Sequence, residues 1–479
     1  MWKQAPMLCN LNIHHNCSSQ LVTPLRFHPK TLSFLVSAFL LIGNISNLSA
    51  QTNPTGILPN PLDEINPALR PLVQSAATNS WKMDLQDILL RRAEAVSMRY
   101  SASNSVKVSA TANVGFQMQD TGSETSDGWK YKFDVYARKP LYTWGAAEAD
   151  HRYGLLEVER VKQDRQLAFL MIYLDVVNRF IDYVILKQRV LYSSLSEEIY
   201  RTDIELRREQ VERGEFPTTQ FASMELNYKT ELLKHEALVN AFNRAAEDLL
   251  EVVGLDEASN INIGSGIPAV ADDLSVIDAK IQSFYSSMDA NSLKVKAKQT
   301  RLNQELERLN NYEVNQKPKL NGLVQLRRDS DNVITGNRQN LEYTEGFAGL
   351  EMRWNVYDGK YSAAFIKDSL QTRRQLEREL ADLKENLKED IGFHFQDLKI
   401  KREQSLLSDQ TFYWEEGRYR QMDEDVKAGR SPEKDLKAVK RDLERARITQ
   451  LDMRGRYYKS LTNVYVMLEY PSILAYLEE

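Results

Sequence analysis

The chain has 479 residues, with 62 Lys and Arg, 67 Asp and Glu, and 42% apolar residues. Its 14 prolines leave residues 141–216 and 319–431 without any. Because an interior proline costs a helix about 3 kcal/mol, runs of this length with few glycines indicate very long helices. A helix of about 65 residues spans on the order of 100 Å. The composition therefore excludes a compact Rossmann or TIM-type domain.

Cysteine and histidine usage argues against an enzyme or a metal centre. Both cysteines, Cys9 and Cys17, lie in the first 30 residues, together with three of the six histidines. The other three, His151, His235 and His394, have no partner at metal-ligand spacing and are expected on solvated helix faces. No motif of a serine hydrolase, zinc protease, P-loop or dinucleotide-binding site occurs in the right context. We expect no catalysis, no cofactor and no nucleic-acid partner.

The first 50 residues have the pattern of an export signal. They contain three basic residues and no acidic one, and an apolar stretch over 32–42 precedes a small-residue ending at Ala50. The apolar stretch is shorter than the roughly 20 residues of a membrane-spanning helix. We predict cleavage after Ala50, with a retained N-terminal anchor as the alternative. The region before the apolar stretch is unusually long for an export signal. A true start of the protein at Met7 or a later residue is therefore a further alternative.

The segment after the predicted signal contains two different patterns. Residues 51–72 include five prolines and few apolar residues, which predicts an extended arm. From 73 to about 101, apolar residues recur at helical spacing and predict an amphipathic helix.

Two hairpins are predicted from strict alternation of apolar and polar residues. The first, over 105–141, has this alternation on both sides of a polar loop at 120–128. The second, over 318–357, repeats the pattern around a loop that ends near Tyr343. The predicted strands have the length of transmembrane β-strands, about 9 to 11 residues. An amphipathic sheet packed on a soluble core is the alternative.

The two hairpins cannot form a closed sheet within one chain. Open sheet edges are not tolerated in lipid, so the four strands need strands from other copies. Three copies would give a 12-stranded barrel.

Each predicted hairpin is followed by a long helix and a returning helix, predicted over 146–213, 218–253, 361–428 and 433–467. Gly214 and Gly429 suit the left-handed position after a helix end, and Pro217 and Pro432 suit a first helical turn. We call these two tight turns the tips. Corresponding residues lie 215 positions apart, which indicates an internal duplication. The predicted division is repeat 1 over 73–253, a linker over 254–275, repeat 2 over 276–468 and a tail over 469–479.

With these features, the sequence resembles the TolC-like outer-membrane efflux proteins. The resemblance rests on 139–145 at the first strand-to-helix junction, on its counterpart 354–359, and on the tips at 213–214 and 428–432. It covers about residues 75–468 in order. Each short motif is weak alone, and the specific feature is the repeated order of hairpin, long helix and tip.

The resemblance implies a mostly helical chain with a pair of β-hairpins. Three copies form a 12-stranded outer-membrane β-barrel that continues into a periplasmic α-helical coiled-coil tunnel. The implied function is passive export, as the exit duct of a tripartite efflux or type I secretion system. The tips would dock on a periplasmic adaptor that connects to an inner-membrane pump. The implied docking residues are Gly214, Pro217, Gly429, Ser431 and Pro432.

The resemblance also suggests where the pore is narrowest. In such proteins aspartates just after the second tip glycine often line a constriction, and here the corresponding positions are Asp435 and Ala438. An aromatic residue and an arginine that lock the closed tip elsewhere in the family match Val426 and Ser431 here. The candidate pore constriction is therefore Asp435, and the other candidates are Asp423, Glu424 and Asp425.

A structural periplasmic coiled-coil protein without a pore is the alternative function. Long proline-free helices alone would suit it. Such a protein does not need four strands of alternating residues beside those helices. The strands are therefore the feature that discriminates a channel from a coiled-coil protein without a pore.

Overall fold

The computed structural model describes residues 59–120, 125–255, 266–271, 273–335 and 337–477. All of them belong to the second of the two units into which the chain divides, Thr55–Glu479. The predicted export signal lies outside the described residues, as does part of the predicted linker.

The N-terminal described segment is partly helical and its leucines are buried, so the prediction of an extended arm was wrong for residues 59–72. It forms α1 (Leu62–Ile65) and α2 (Arg70–Asn79), and Pro71 sits in the first turn of α2, where its missing N–H is harmless. Leu62 and Leu69 are at most 1% exposed. Burial of such side chains against the long helices favours an ordered segment that the local composition alone did not predict.

The predicted helix over 73–101 is interrupted once. Ser80 has an extended backbone, with φ −67° and ψ 130°, and it separates α2 from α3 (Trp81–Ser101). A short 3-10 turn, Ala102–Asn104, then leads into the first strand.

The two hairpins join into one antiparallel sheet in the order β1-β2-β3-β4. The strands are β1 (Lys107–Asp120), β2 (Thr125–Tyr142), β3 (Lys319–Thr335) and β4 (Asn337–Arg353). The two hairpins meet because β2 pairs with β3, for example Val135 opposite Leu326. Within the described chain, the outer edges of β1 and β4 have no strand partner.

Both hairpins extend further than side-chain alternation predicted. The loop predicted at 120–128 is shortened because β2 begins at Thr125. The loop predicted to end near Tyr343 is largely strand, because β3 continues to Thr335 and β4 begins at Asn337. Antiparallel pairing is made by backbone groups, so it does not depend on an alternation of apolar and polar side chains.

The long helices agree with their predicted bounds to within one residue: α4 (Ala146–Glu212), α5 (Thr218–Val253), α8 (Tyr361–Lys427) and α9 (Glu433–Met467). α4 and α8 each have 67 residues, and α8 begins 215 positions after α4. The remaining helices are α6 (Ser275–Asn291), α7 (Leu293–Glu313), α10 (Pro471–Leu474) and a 3-10 turn, Ala475–Leu477. Among the described residues, no helix has both the length and the hydropathy for crossing a membrane.

The helices pack side by side in a layer whose order changes along its length. Near the sheet the order is α3-α4-α7-α8, and near the tips it is α5-α4-α9-α8. α4 therefore lies inside the layer throughout. α8 forms one edge along its whole length, and α3 and α5 form the other edge.

The core lies midway along the layer. Its largest buried side chains include Phe169, Tyr173, Phe180, Tyr457 and Tyr465. There Asp63, itself buried, accepts hydrogen bonds from the hydroxyls of Tyr173 and Tyr476. The first and last described segments are thus both attached to the middle of α4.

Candidate functional site

One face of the sheet is apolar and exposed. Cross-strand pairs such as Phe116 opposite Trp129, and Val324 opposite Ala348, place apolar residues of neighbouring strands side by side. The large side chains of this face are 45–73% exposed: Val108, Val114, Phe116, Met118, Trp129, Phe133, Val324, Leu326, Leu350 and Met352. A continuous exposed apolar surface of this kind marks contact with lipid or another protein.

The opposite face of the sheet is polar and internally bonded. Arg138 forms an ion pair with Glu351 at 2.8 Å, and Asn321 donates to the same carboxylate at 3.2 Å. Gln325 donates to Asp134 at 2.9 Å across β2 and β3. Charges that are paired and hydrogen-bonded in this way remain hydrophilic while they hold neighbouring strands in register.

The two strand-to-helix junctions share an unusual backbone. Trp144 and Gly145 have φ of 58° and 86°, and Gly359 and Lys360 have φ of 66° and 71°. Two successive left-handed residues are rare, and they are rarer still for a bulky side chain such as tryptophan. The two pairs lie 215 positions apart, like the helices they precede.

Each junction also caps its helix with a side chain. Thr143 accepts from the Ala147 N–H at 3.3 Å, and Asp358 accepts from the Ser362 N–H at 2.9 Å and from the Gln316 amide at 3.1 Å. Hydrogen bonds from the hydroxyl and the N–H of Ser362 lower the pKa of Asp358. The second junction therefore has a charged cap where the first has a neutral one.

Two tryptophans lie at the base of the sheet. The indole N–H of Trp144 donates to the Pro318 carbonyl at 2.7 Å, and that of Trp354 donates to the Gln316 carbonyl at 3.0 Å. Both hydrogen bonds end on the turn before β3. A ring that is apolar on one side and hydrogen-bonded at one end is typical of a membrane interface.

The two tips have the same backbone geometry. Gly214 has φ of 74° and Gly429 has φ of 70°. In each tip, the residue after the glycine donates its N–H to the carbonyl five residues earlier, at 2.9 and 2.8 Å, which is the Schellman type of helix end. Pro217 and Pro432 then begin the returning helices, and Ser431 is half-buried beside the latter. The sequence placed all five residues at the turns, where the structure has them.

The second tip contains two ion pairs that the sequence did not predict. Asp425 lies 2.6 Å from Arg430 across the turn, and Asp423 lies 2.6 Å from Lys427 one helical turn away. The hydrogen bond to Asp423 raises the pKa of the Lys427 ammonium group. Two of the acidic residues proposed for a constriction are therefore neutralised within their own chain.

The other two proposed residues keep free carboxylates. Glu424 and Asp435 are exposed, and neither forms an ion pair within the described part of the chain. Asp435 lies in the first turn of α9, where a negative charge is favourable for the helix dipole. The structure thus places all four acidic residues at the second tip but divides them into two paired and two unpaired ones.

The first tip is held by a different contact. The Arg207 guanidinium lies over the Phe216 ring at 5.1 Å from its centroid. Arg213 and Glu209 form only a long ion pair of 3.5 Å, with both side chains 66% exposed. The sequence did not predict this contact; the signal that could have indicated it is Phe216, the one aromatic residue between the glycine and the proline of this tip.

Two of the three described histidines form hydrogen bonds, and the third, His235, has a buried Nδ1 with no hydrogen-bond partner among the described residues. His151 lies 2.8 Å from the Ser101 hydroxyl, and His394 lies 3.1 Å from the Asn463 amide. No group of three or more His, Cys, Asp or Glu within the described ranges is arranged to hold a metal ion.

Several solved structures that match this fold are described as outer membrane channels or outer membrane proteins. The Campylobacter jejuni CmeC outer membrane channel matches with a TM-score of 0.67 and 13% identity, covering 92% of this chain and 94% of that one. The open state of the Neisseria gonorrhoeae MtrE outer membrane channel matches at 0.63 and 12%, covering 84% and 89%. The Vibrio cholerae outer membrane protein VceC matches at 0.61 and 11%, covering 85% and 98%.

These comparisons confirm the TolC-like resemblance at the level of the fold. No family model matches the sequence, and no curated protein matches it. The mostly helical chain with one antiparallel sheet is therefore established by structure rather than by sequence identity.

Proposed function

We propose that the protein is a passive outer-membrane exit duct. Three copies form a 12-stranded β-barrel that continues into a periplasmic helical tunnel, as part of a tripartite efflux or type I secretion system. The observation that carries the proposal is the four-stranded sheet, with its exposed apolar face and its two edges unpaired in the described chain. The likeness to CmeC and MtrE, which are outer membrane channels, supports it.

The sheet edges account for the assembly. Lipid cannot hydrogen-bond exposed backbone groups, so β1 of one copy must pair with β4 of the next if the apolar face contacts the bilayer. Because the four strands alternate in direction, this pairing is antiparallel. Two copies would supply eight strands, and an eight-stranded barrel is filled by its own side chains, so it would have no duct. Three copies supply 12 strands.

The polar face of the sheet then lines the lumen. The network around Glu351, with Arg138 and Asn321, and the pair of Gln325 with Asp134 would present bonded polar groups to passing solutes. Such a surface hydrates a solute without binding it tightly, which suits permeation. No reacting group is required.

The helical layer supports an internal duplication. α4 and α8 have equal lengths, and the positive-φ junctions and the tips recur at a spacing of 215 positions. Equal helix lengths put both tips the same distance from the sheet. A trimer would therefore present six tips at one level.

We place the adaptor contact at this ring of tips. The docking residues are the ones predicted from sequence: Gly214, Pro217, Gly429, Ser431 and Pro432. The adaptor would link the duct to an inner-membrane pump. Within the ring, Asp435 and Glu424 are the stronger candidates for the constriction, because Asp423 and Asp425 are already paired.

Reconstitution tests the proposal. The protein extracted from outer membranes is expected to have the mass of a trimer by native mass spectrometry and to conduct ions in planar bilayers. A monomer that remains stable in lipid would reject the barrel. A water-soluble protein without conductance would favour the coiled-coil alternative.

A further inference from the structure

The polar face of the sheet has like charges opposite each other at its base, the end next to the long helices. Lys107 on β1 lies directly opposite Arg138 on β2, and Lys319 on β3 lies directly opposite Arg353 on β4. Residues at directly opposed positions share a face, and like charges there are destabilising. Both hairpins nevertheless have such a pair at the same end. We call these four residues the base cations.

Higher in the sheet, the same face has opposite charges on neighbouring strands. Lys132 lies opposite Asp329, and Asp134 lies opposite Arg327. Arg327 in turn lies opposite Glu345 on β4. Opposite charges in these positions stabilise a sheet. The like-charge pairs are therefore a feature of the base and not a general property of this face.

The two arginines among the base cations share one carboxylate. Glu351 lies 2.8 Å from Arg138 and 3.7 Å from Arg353. The side chain of Arg353 is 64% exposed, whereas that of Arg138 is 29% exposed. Glu351 therefore neutralises Arg138 and leaves most of the charge of Arg353 facing solvent.

The two lysines have weaker compensation. Neither Lys107 nor Lys319 forms an ion pair within the described part of the chain. Burial raises the pKa of Asp150 on α4, and the charges of Lys319 and Lys107 act against this shift. Asp150 itself accepts a hydrogen bond from the Asn311 amide at 2.6 Å. Because one carboxyl group responds to both lysines, the two like-charge pairs lie near each other.

We propose that the base cations form an anion-attracting ring in the lumen, which favours the export of solutes with phosphate, sulfate or carboxylate groups. The inference rests on the proposed channel and names its substrate class. When β1 of one copy pairs with β4 of the next, Lys107 and Arg353 of adjacent copies lie on neighbouring strands. Four base cations in each of three copies make 12, against six carboxylates from Glu351 and Asp150. Rings of Lys and Arg favour anions in pores.

The ring gives the like-charge pairs a purpose. An anion between two cations replaces their repulsion with two attractions, so the cost of each pair falls while a solute is present. The attraction remains weak enough for release, because exposed charges are screened beyond about 8 Å at physiological salt. Anionic solutes are therefore concentrated at the base of the barrel without being held there.

Block by a compact polyanion tests the ring. Inositol hexakisphosphate is added on the side of the hairpin loops to single trimers in planar bilayers, at about 0.1 M KCl, where the Debye length is about 10 Å. The conductance of the parent should fall, because several phosphates meet the ring at once. In the double variant Lys107→Gln with Lys319→Gln, the half-blocking concentration should rise several-fold. Both lysines lie outside the Arg138–Glu351 ion pair, so that contact between strands is kept.

Lys139→Gln is the matched control. Lys139 is exposed and follows Arg138 on β2, so it lies at the same level on the opposite, apolar face. This variant should be blocked like the parent. The pair Lys107→Arg with Lys319→Arg keeps the charge and should also be blocked like the parent, which separates the effect of charge from that of the substitution.

Salt provides a test without any substitution. At about 1 M KCl the Debye length is about 3 Å, and block of the parent should be largely lost. The carboxylates of the tips do not confound this measurement, because they lie about 100 Å away at the other end of α4 and α8.

The outcomes separate the ring from the channel. Parent trimers that conduct without being blocked would overturn the ring and leave the channel proposal intact. The same holds if the glutamine pair is blocked like the parent, or if Lys139→Gln loses block equally. A parent that does not conduct would reject the channel proposal itself, and the ring with it.

Discussion

The two tips have the same backbone and different side-chain chemistry. Both have a left-handed glycine, a Schellman hydrogen bond and a proline at the start of the returning helix. The first has an arginine lying on a phenylalanine ring and one long, exposed ion pair, whereas the second has two short ion pairs, of which Asp425–Arg430 crosses the turn. The turn shape is thus common to both halves, and the response to salt and to partners is expected to differ.

The shape of a tip and the strength with which it is held depend on different residues. The shape of a tip is determined by the backbone preferences of glycine and proline, which act within a few residues. The strength with which a tip is held depends on side chains that need not be alike. Substitutions of the backbone residues should therefore affect both tips equally, and substitutions of the side chains should affect them unequally.

The largest effect is expected from the tip glycines. Gly214→Val and Gly429→Val each force a β-branched residue to positive φ, at a cost of roughly 1–3 kcal/mol per site. The space around both glycines is open, so the strain is confined to the backbone. Export by cells that carry the double variant should fall while trimers persist in native gels.

Asparagine provides the control for the glycines. Gly214→Asn and Gly429→Asn should retain most export, because asparagine tolerates the left-handed region. If export is unchanged in the double valine variant, the tips have no docking role. If only one of the two valine variants loses export, the equivalence of the two turns is wrong.

Substitutions of the helix-capping residues at the two junctions should have a smaller effect than the glycine substitutions. For one of the two caps, the effect should depend on pH. Thr143→Ala should lower stability by about 0.5–1 kcal/mol at every pH, because the cap is neutral and its hydrogen bond is long. Asp358 has a lowered pKa. Its contribution is therefore complete above the ordinary aspartate pKa and is lost as the pH falls through the lower value of the folded state.

Thermal unfolding at neutral and acidic pH measures this difference. Asp358→Asn should unfold earlier than the parent at pH 7, and the gap should close well below the ordinary pKa of 3.8. The gap for Thr143→Ala should not change with pH. A pH-independent gap for Asp358→Asn would mean that its charge does not support the cap.

The ends of the long helices could be predicted from the sequence, whereas contacts that form only in the folded chain could not. The ends of α4 and α8 were predicted to within one residue, because glycine and proline determine helix ends locally. The burial of Leu62 and Leu69 was missed, because it depends on long helices distant in sequence. The Asp425–Arg430 ion pair was missed for a related reason, since it exists only once the turn has formed.

The ion pairs at the tips should have unequal strengths. Asp425 and Arg430 are 2.6 Å apart, and the aspartate is 29% exposed, whereas Glu209 and Arg213 are 3.5 Å apart and 66% exposed. A double-mutant cycle with Asp425→Asn and Arg430→Gln should give a coupling of about 0.2–1 kcal/mol that declines in high salt. The same cycle with Glu209→Gln and Arg213→Gln should give a value near zero. Equal couplings would show that exposure does not distinguish the two tips.

The smallest effect on stability, and the most specific effect on function, is expected at Asp435. If three copies bring this unpaired carboxylate to the axis, their combined charge attracts cations to the narrow end of the duct. Asp435→Asn should then weaken block by multivalent cations added from the periplasmic side and reduce cation preference in single-channel recordings. A role confined to the first turn of α9 would instead shift the unfolding temperature slightly and leave conductance unchanged. Asp423→Asn is the matched control, because Asp423 is already paired with Lys427 and should affect block less. Identical selectivity and block in the Asp435 variant and the parent would remove Asp435 from the constriction, and the same recordings on Glu424→Gln would then test the other unpaired carboxylate of this tip.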